Sequence, residues 1–407
     1  MPETHSRRKR VAYIIGRFPA LTMTFITREI LEAKRTGADL VLVSIRRSPP
    51  FEMCPEVEAL AGETRYLLPV VWPKFLASVV YYLATRPWVF VSTLIYLLSR
   101  PHPSLGARFK TLIHFAEGVH AAGLIRGDKV DHIHAHFADR AATVALVASR
   151  LVDVEFSFTA HANDIYIAPE LLTEKVEHAK FTTTCTAYNK SHLEKVTGHP
   201  VELIYHGLDL EQLDDPCGET HPETAPLILS VGRLTEKKGF PVLLEACARL
   251  KQEERSFRCE IVGDGPDLAL LTQQIDTLGI GDRVALLGAL SNAAVMQKYI
   301  EATIFTLPCV VAKNDDRDGI PNVMLEAMAH ELPVVSTNVS GIPEVLHHEE
   351  TGLMVESGQV DALTDALRRL LDDPEERQRL GENARDLVAN RFDIRRNIGR
   401  LVELLES

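Results

Sequence analysis

The chain has 407 residues, 46% apolar and 25% charged, with a formal charge of −12. That length exceeds one ordinary hydrophobic core, so two domains of about 200 residues each are expected. The acidic balance excludes a nucleic-acid binder built on a basic face, and six cysteines scattered without a Cys-x-x-Cys pair exclude a disulfide framework or a cysteine zinc site.

From the N-terminus, Arg7-Arg8-Lys9-Arg10 reads as a solvated arm, with a membrane or targeting role as the alternative. Val11–Ile15 reads as a first strand; it is too short for a signal-peptide core and runs into Gly16-Arg17-Phe18-Pro19, so no secretory signal is expected. Phe25–Arg35 reads as a helix closed by Gly37, and Leu40–Ile45 as a second strand. Phe75 to Ser99 is strongly apolar, but Arg86-Pro87 splits it into pieces too short to span a bilayer, which takes about 20 apolar residues. The segment predicts either a buried helical pair or a hairpin resting on a bilayer, with Trp72, Tyr81, Tyr82, Trp88 and Tyr96 at interfacial depth. The protein is therefore expected to be cytoplasmic, soluble or peripheral on the inner membrane face, and not integral. An amphipathic stretch follows around Phe109–Leu124, then short strands at His132–His136, Phe156–Thr159, Thr182–Thr186 and Val201–Tyr205.

The turn-rich stretch 214–226 reads as a linker. After it the alternation restarts, with strands at Leu227–Val231, Phe257–Val262, Val284–Leu287, Ile304–Leu307, Pro333–Thr337 and Leu353–Val355. Helices are expected over Pro241–Leu250, Pro266–Leu278, Asp361–Leu371, Glu375–Asn390 and Ile394–Leu405. Strands alternating with helices predict an α/β chain of two doubly wound, Rossmann-like domains. These are 1–213 with an apolar helical insert over 70–125, and 227–390, with 391–407 as a terminal helix packing back on the first. Such domains would face each other across a cleft lined by the carboxyl ends of both sheets.

Asp318-Gly319-Ile320-Pro321-Asn322-Val323-Met-Leu-Glu326 sets two carboxylates around a helix start. Pro321 suits the first helical position, Asp318 then lies in the loop before it and Glu326 on the second turn. Free amides and the positive dipole end between them suit a diphosphate, while the acids suit sugar hydroxyls. Ser230-Val-Gly-Arg233-Leu-Thr-Glu-Lys-Lys238-Gly239 ends the first strand of the second half, and Arg233 and Lys238 suit the same diphosphate. Gly263 and Gly265 in Ile261-Val-Gly-Asp-Gly-Pro266 permit close backbone approach to a base or ribose, and Leu287 ends a similar strand. Each such loop is, alone, equally readable as ordinary turn chemistry.

His132-Ile-His-Ala-His136 puts three imidazoles on one strand face, a metal pattern that lacks a second cluster for the fourth ligand. The favoured reading points His136 into the cleft, with the other two packed or solvated. His161, Asn163 and Asp164 follow another strand; His161 suits a sugar hydroxyl or a satisfied loop position, and His136, Asn163 and Asp164 are acceptor-side candidates. Asn314-Asp315-Asp316-Arg317-Asp318 suits Mg²⁺ or Mn²⁺ under a diphosphate, but Arg233 and Lys238 neutralise a diphosphate without a metal, so no cofactor is expected. A hydrolase pair made of Asp318 and Glu326 leaves the Arg/Lys loop without a job.

Together these motifs resemble the family 4 retaining glycosyltransferases of the GT-B fold, over almost the whole chain. The resemblance rests on Asp318 to Glu326, Ala327-Met-Ala, Pro333-Val-Val and Ser340-Gly-Ile-Pro-Glu344. It implies that Glu326 holds the ribose hydroxyls, Asp318 contacts the donor sugar and Arg233 with Lys238 grips the diphosphate. It further implies that Gly16 lies near the phosphates and that His161 supports the sugar during transfer. The first acid is usually Glu, one methylene longer than Asp318. Asp-Gly-Ile-Pro-Asn-Val, Thr24-Phe-Ile and His134-Ala-His-Phe-Ala resemble a subgroup of bacterial exopolysaccharide and colanic-acid-type enzymes, in which Ser-Glu-Thr-Phe is common where Thr22-Met23-Thr24-Phe25 stands here. The implied reaction transfers a sugar from a nucleotide-diphosphate sugar to a saccharide or lipid-linked acceptor. A nucleotide-sugar epimerase and a non-catalytic nucleotide-sugar scaffold are the alternatives.

Overall fold

The fold is that of a computed structural model, which describes residues 8–20, 23–50, 53–167, 169–213 and 225–407. The chain divides into two compact units, Met1–Gly207 with Ile394–Ser407, and Leu208–Asp393. Most of the expected linker, 214–224, lies outside the described residues. The units meet in sequence at Gly207/Leu208 and Asp393/Ile394, where composition suggests 213 and 390.

The first unit is built on seven parallel strands: β1 (Arg10–Arg17), β2 (Asp39–Arg46), β3 (Arg65–Tyr66), β4 (His132–His136), β5 (Glu155–Ala160), β6 (Thr182–Thr184) and β7 (Glu202–Leu203). Their order is β3-β2-β1-β4-β5-β6-β7. The order reverses at β1, which pairs with both β2 and β4. Val11-Ala-Tyr-Ile-Ile15 is apolar without interruption because a central parallel strand is covered on both faces, and all five residues are buried. Arg10, the last residue of the supposed arm, opens β1 and is pinned: its Nε donates to Asp39 Oδ2 at 2.7 Å and its N–H to Asp131 Oδ2 at 2.8 Å.

Helices Pro55–Glu63, Arg140–Val152, Leu172–His178 and Ala187–Thr197 of this unit were not legible. Ala-rich Arg140–Val152 is buried nearly all round and shows no polar face. It packs on Leu105–Ile125 so closely that a Cβ at Gly118 would sit 2.4 Å from Val147 Cβ. Ala187–Thr197 is capped by Thr186, whose hydroxyl accepts from the Asn189 N–H at 3.0 Å. The terminal helix Ile394–Glu406 returns to this unit, packing Ile394, Ile398 and Val402 around Ala33 and joining Leu401 and Leu405 to Tyr13, Ile26 and Ile30.

The apolar insert differs from the buried pair expected as one reading. Helix Trp72–Thr85 buries Ser78 and Tyr82, and helix Pro87–Ser99 buries Thr93 and Leu97; Val79, Phe90 and Leu94 pack on the core, while Trp72, Leu76, Val80, Trp88 and Ile95 face solvent. No single helix among the described residues is long and apolar enough to cross a membrane; these two reach that length only together, and they bend by 108°.

The second unit carries β8 (Leu227–Val231), β9 (Arg258–Val262), β10 (Val284–Gly288), β11 (Ile304–Leu307), β12 (Val334–Thr337) and β13 (Leu353–Val355). All are parallel in the order β10-β9-β8-β11-β12-β13. This is the doubly wound order, and its reversal between β8 and β11 opens a crevice at their carboxyl ends. Helix Asn292–Glu301, absent from the sequence reading, and helix Asn322–Ala329 flank that point. Pro321 is the N-cap of Asn322–Ala329 rather than its first residue, with extended backbone (φ −67°, ψ 123°).

Candidate active site

The reversal point of the second sheet gathers the charged residues singled out above. β8 ends at Val231, and Gly232 to Gly239 carry the chain through a short 3-10 turn into helix Phe240–Gln252. Gly239 is left-handed (φ +69°), and a Cβ there would lie 1.8 Å from the Pro308 carbonyl oxygen, so only glycine lets this loop meet the end of β11. Across that contact Lys238 Nζ binds Asp318 Oδ2 at 2.7 Å. Lys237 Nζ bridges Asp318 Oδ1 at 3.3 Å and Asp316 Oδ1 at 3.1 Å. The run 314–318 thus has its acids answered by the chain's own cations, and Arg317 pairs with Asp315 at 3.2 Å.

Burial alone would raise the Asp318 pKa, but Lys238 and then Lys237 outweigh it and hold it below the usual carboxylate value. Burial would likewise depress Lys238, and Asp318 reverses that, holding the ammonium above its ordinary value. The two directions agree: the pair is ionised at neutral pH. The Cys309 thiol donates to Asp318 Oδ2 at 3.6 Å, and burial followed by that negative charge pushes its pKa up, so it stays a thiol. Arg233 is exposed on the same loop and makes no ion pair among the described residues. One ammonium with three N–H donors spends one on Asp318, which leaves Lys238 two for an incoming anion.

Gly263 and Gly265 each admit a neighbouring loop. A Cβ at Gly263 (φ +144°) would sit 1.9 Å from the Gly232 carbonyl oxygen, and one at Gly265 2.3 Å from that of Leu234. The close approach they permit is by the neighbouring 232–234 loop, sealed by Gly232 N–H to Val262 O and Leu234 N–H to Asp264 O. Gly16, by contrast, lies near the end of β1 with nothing within 4 Å of where a Cβ would stand, so its backbone is open. Leu287 is half-buried on β10, where the register with β9 shifts before Gly288.

Glu326 stands on the second turn of Asn322–Ala329, 5% exposed. Its Oε2 accepts from the Tyr299 hydroxyl at 3.2 Å, and the same hydroxyl reaches the Val323 carbonyl at 3.0 Å. Tyr299 therefore fixes the carboxylate and the helix start together. Nothing local in the sequence marked it. Gly319, Ile320, Asn322 and Val323 are half-buried around the helix start, which has no side-chain cap.

In the first unit the three β4 histidines are fully buried, so none is solvated. They form a polar ladder: His132 Nε2 and His134 Nδ1 share the Ser157 hydroxyl at 2.7 and 2.8 Å, and His134 Nε2 meets Thr159 Oγ1 at 3.1 Å. His136 Nε2 meets Glu29 Oε1 at 3.0 Å, and Glu29 also accepts from the Tyr13 hydroxyl at 3.1 Å. Burial drops His132 to about 4 and His134 well below its ordinary value, so both rings are neutral. Burial followed by neighbouring imidazoles does the same to His161. That ring packs between Phe137 (4.3 Å between centroids) and Phe25 (4.9 Å), and neither nitrogen has a hydrogen-bond partner among the described residues. Ligand atoms of His161, Cys185 and His206 lie within 4.8 Å of one another.

Of the acceptor-side candidates, Asn163 is exposed, whereas Asp164 is 2% exposed with its carboxylate already engaged. Asp164 Oδ2 accepts from Ala138 N–H at 2.6 Å and Oδ1 from His161 N–H at 3.1 Å. Lys175, 1% exposed, donates to the Ala138 and Asp139 carbonyls at 2.6 and 3.1 Å. Together they clamp the exit of β4, where Phe137 is held at φ +77°, a conformation that costs on the order of 1–3 kcal/mol. Asp164 thus positions the backbone under His161.

Burial lifts the Asp164 pKa from 3.8 to about 7 against the pull of those amides. A folded-state value above the unfolded one contributes stability fully present below about pH 4 and lost as the pH rises through about 7. Asp164→Asn removes this dependence. The stability gap between wild type and variant is expected to move in the variant's favour by up to roughly 4 kcal/mol over that window. Urea unfolding at several pH values measures it, and a pH-invariant gap would refute the assignment.

Residues 214–387 match the family of glycosyl transferases group 1, so the second unit carries a domain of that group. The chain is 39% identical over 179 residues to the amylovoran biosynthesis glycosyltransferase AmsK of Erwinia amylovora, covering 44% of each chain. It is 36% identical over 203 residues to the putative colanic acid biosynthesis glycosyltransferase WcaL of Escherichia coli, covering 49% of this chain and 50% of that one. The matched part spans about half the length of these relatives. Among solved structures, Anabaena HepE in complex with UDP superposes with a TM-score of 0.71 at 16% identity, covering 97% of this chain and 99% of that one. The fold is GT-B.

Proposed function

We propose that the protein is a retaining, family 4 glycosyltransferase that moves a sugar from a nucleotide-diphosphate donor to a saccharide or lipid-linked acceptor in cytoplasmic exopolysaccharide assembly. The observation that carries this reading is the Lys238–Asp318 ion pair at the β8/β11 reversal, beside exposed Arg233 and the uncapped start of helix Asn322–Ala329. HepE, of the same fold, holds UDP, and the names of AmsK and WcaL support the pathway class.

As the bond between the anomeric carbon and the β-phosphate oxygen breaks, negative charge grows on the leaving diphosphate. Lys238, Arg233 and the amides near Asn322 are the groups placed to stabilise it, and such preorganised stabilisation is usually the largest catalytic contribution. Asp318, kept ionised by two lysines, accepts hydrogen bonds from donor-sugar hydroxyls, and Glu326, fixed by Tyr299, accepts those of the ribose. The leaving phosphate takes the acceptor proton, so this route needs no protein base, and the cations suffice without a metal.

The test is incubation with a panel of nucleotide sugars, with and without glycan extracts. Slow donor hydrolysis, and a transferred sugar whose anomeric proton coupling matches the donor's, are expected. An inverted product overturns retention, release of epimerised nucleotide sugar favours the epimerase, and absence of turnover with every donor sinks the enzyme reading.

A further inference from the structure

In an ordinary soluble helix the apolar stripe faces the core. The 70–125 insert packs Leu97, Phe115 and Val119 inward and carries a second apolar face outward. Helix Trp72–Thr85 places Ser78 against Leu105–Ile125, where a Cβ on Gly123 would sit 1.9 Å from the Ser78 hydroxyl, and sends the Tyr82 hydroxyl to the Ala122 carbonyl at 3.0 Å. Its opposite positions leave Trp72 64% and Val80 66% exposed. Helix Pro87–Ser99 buries Thr93 completely and leaves Trp88 83% exposed; Leu105–Ile125 starts with Leu105 82% and Phe109 62% exposed. Scattered exposed apolar residues are normal, but stripes on three consecutive, mutually packed helices are not.

Charge separates the occupants of such a face. From Arg65 to Ala116 the sequence holds no Asp or Glu and six Lys or Arg, in a chain of net charge −12. Lys74, Arg108 and Lys110 are exposed and make no ion pair among the described residues. Beside the bend at Arg86 lies a cavity of about 250 Å³ lined by Arg86, Arg126 and Lys129 together with Tyr81, Tyr82 and Thr85. Arg86 also pairs with exposed Asp153 at 3.0 Å, and Asp128, between Arg126 and Lys129, is held by Arg65. Trp at the apolar edge and exposed cations free of acidic partners are the two features that fit a bilayer interface carrying negative headgroups.

We propose that this insert is a docking face for anionic phospholipid, with Trp72, Trp88, Leu105 and Phe109 entering the interface, Lys74 and Lys110 on the headgroups, and the Arg86–Arg126–Lys129 cavity taking one headgroup phosphate. The assignment goes beyond the proposed reaction and does not depend on it. The full chain is tested by flotation with vesicles of phosphatidylcholine alone and of phosphatidylcholine mixed with phosphatidylglycerol. Binding is expected to the mixed vesicles only and to weaken with added salt. Partitioning should fall at least about tenfold both in Trp72→Ser/Trp88→Ser and in Lys74→Glu/Lys110→Glu. All four positions are exposed, so the fold is retained, as circular dichroism checks, and donor hydrolysis in solution is unchanged, which keeps this outcome separate from that of the enzyme reading. No flotation, or equal flotation on phosphatidylcholine alone, overturns the proposal. So does a dimer in solution that the tryptophan variant dissociates, which would assign the face to a second copy of the chain.

Discussion

Lys238→Ala is expected to lower sugar transfer by roughly 10²–10³-fold, the loss seen when one preorganised donor to a developing anion is removed. The geometry makes the effect larger than that of an ordinary surface lysine. Lys238 Nζ lies 2.7 Å from Asp318 in a site where both side chains are mostly shielded, so the truncation removes a cation from the diphosphate and leaves the carboxylate leaning on Lys237 at 3.3 Å. Breaking a buried pair costs about 3–5 kcal/mol when nothing replaces the partner. Lys237 does replace part of it, so a stability loss nearer ~1–2 kcal/mol is expected. Donor affinity and turnover should fall together, and Lys238→Ala/Asp318→Asn should recover the stability without the activity. A folded Lys238→Ala protein with wild-type turnover would falsify the assignment.

Gly263→Ala is expected to be among the most damaging conservative changes in the second unit. The residue sits at φ +144°, where a side chain is strained, and the added methyl would lie 1.9 Å from the Gly232 carbonyl oxygen. That neighbour is backbone at the end of β8 and is tied down by its own bond to Val262, so it has no rotamer to yield. A cost above about 3 kcal/mol is expected, in the range of the largest single-residue effects. Whatever yields moves the loop bearing Arg233 and Lys238, so donor affinity should fall as well. Gly16→Ala is the control, since open space surrounds that position and a stability change within about 1 kcal/mol is expected. Denaturant unfolding of the two variants and donor titration of Gly263→Ala decide it: equal stabilities would sink the packing explanation.

Gly263 also marks where sequence reasoning stops. It advertises a close approach equally well whether a nucleotide or the next loop does the approaching. The two doubly wound sheets were legible because central parallel strands demand unbroken apolar runs such as Leu227–Val231, bounded by glycine turns. Helix Arg140–Val152 was missed for the complementary reason: buried on nearly every side, it lacks the polar stripe that reveals an amphipathic helix. The histidine ladder satisfies itself on Ser157 and Thr159 of β5, partners that no local spacing announces. Asp318 and Glu326 stood out at once, and so did Lys238, which holds Asp318 ionised, whereas Tyr299, which fixes Glu326, comes from a distant segment and carries no motif.

The return of Ile394–Glu406 to the first unit has a consequence for how the chain is assembled. The second unit is nested inside the first, in the manner of a cassette. Its own ends are tied to each other, Leu208 N–H bonding the Phe392 carbonyl at 2.8 Å and Leu208 bridging Asp393. The ends of the host lie equally close, for a Cβ on Gly207 would be 2.2 Å from Ile394 Cα. The first unit therefore closes only when the segment after Asp393 returns to it, whereas the second is continuous in sequence.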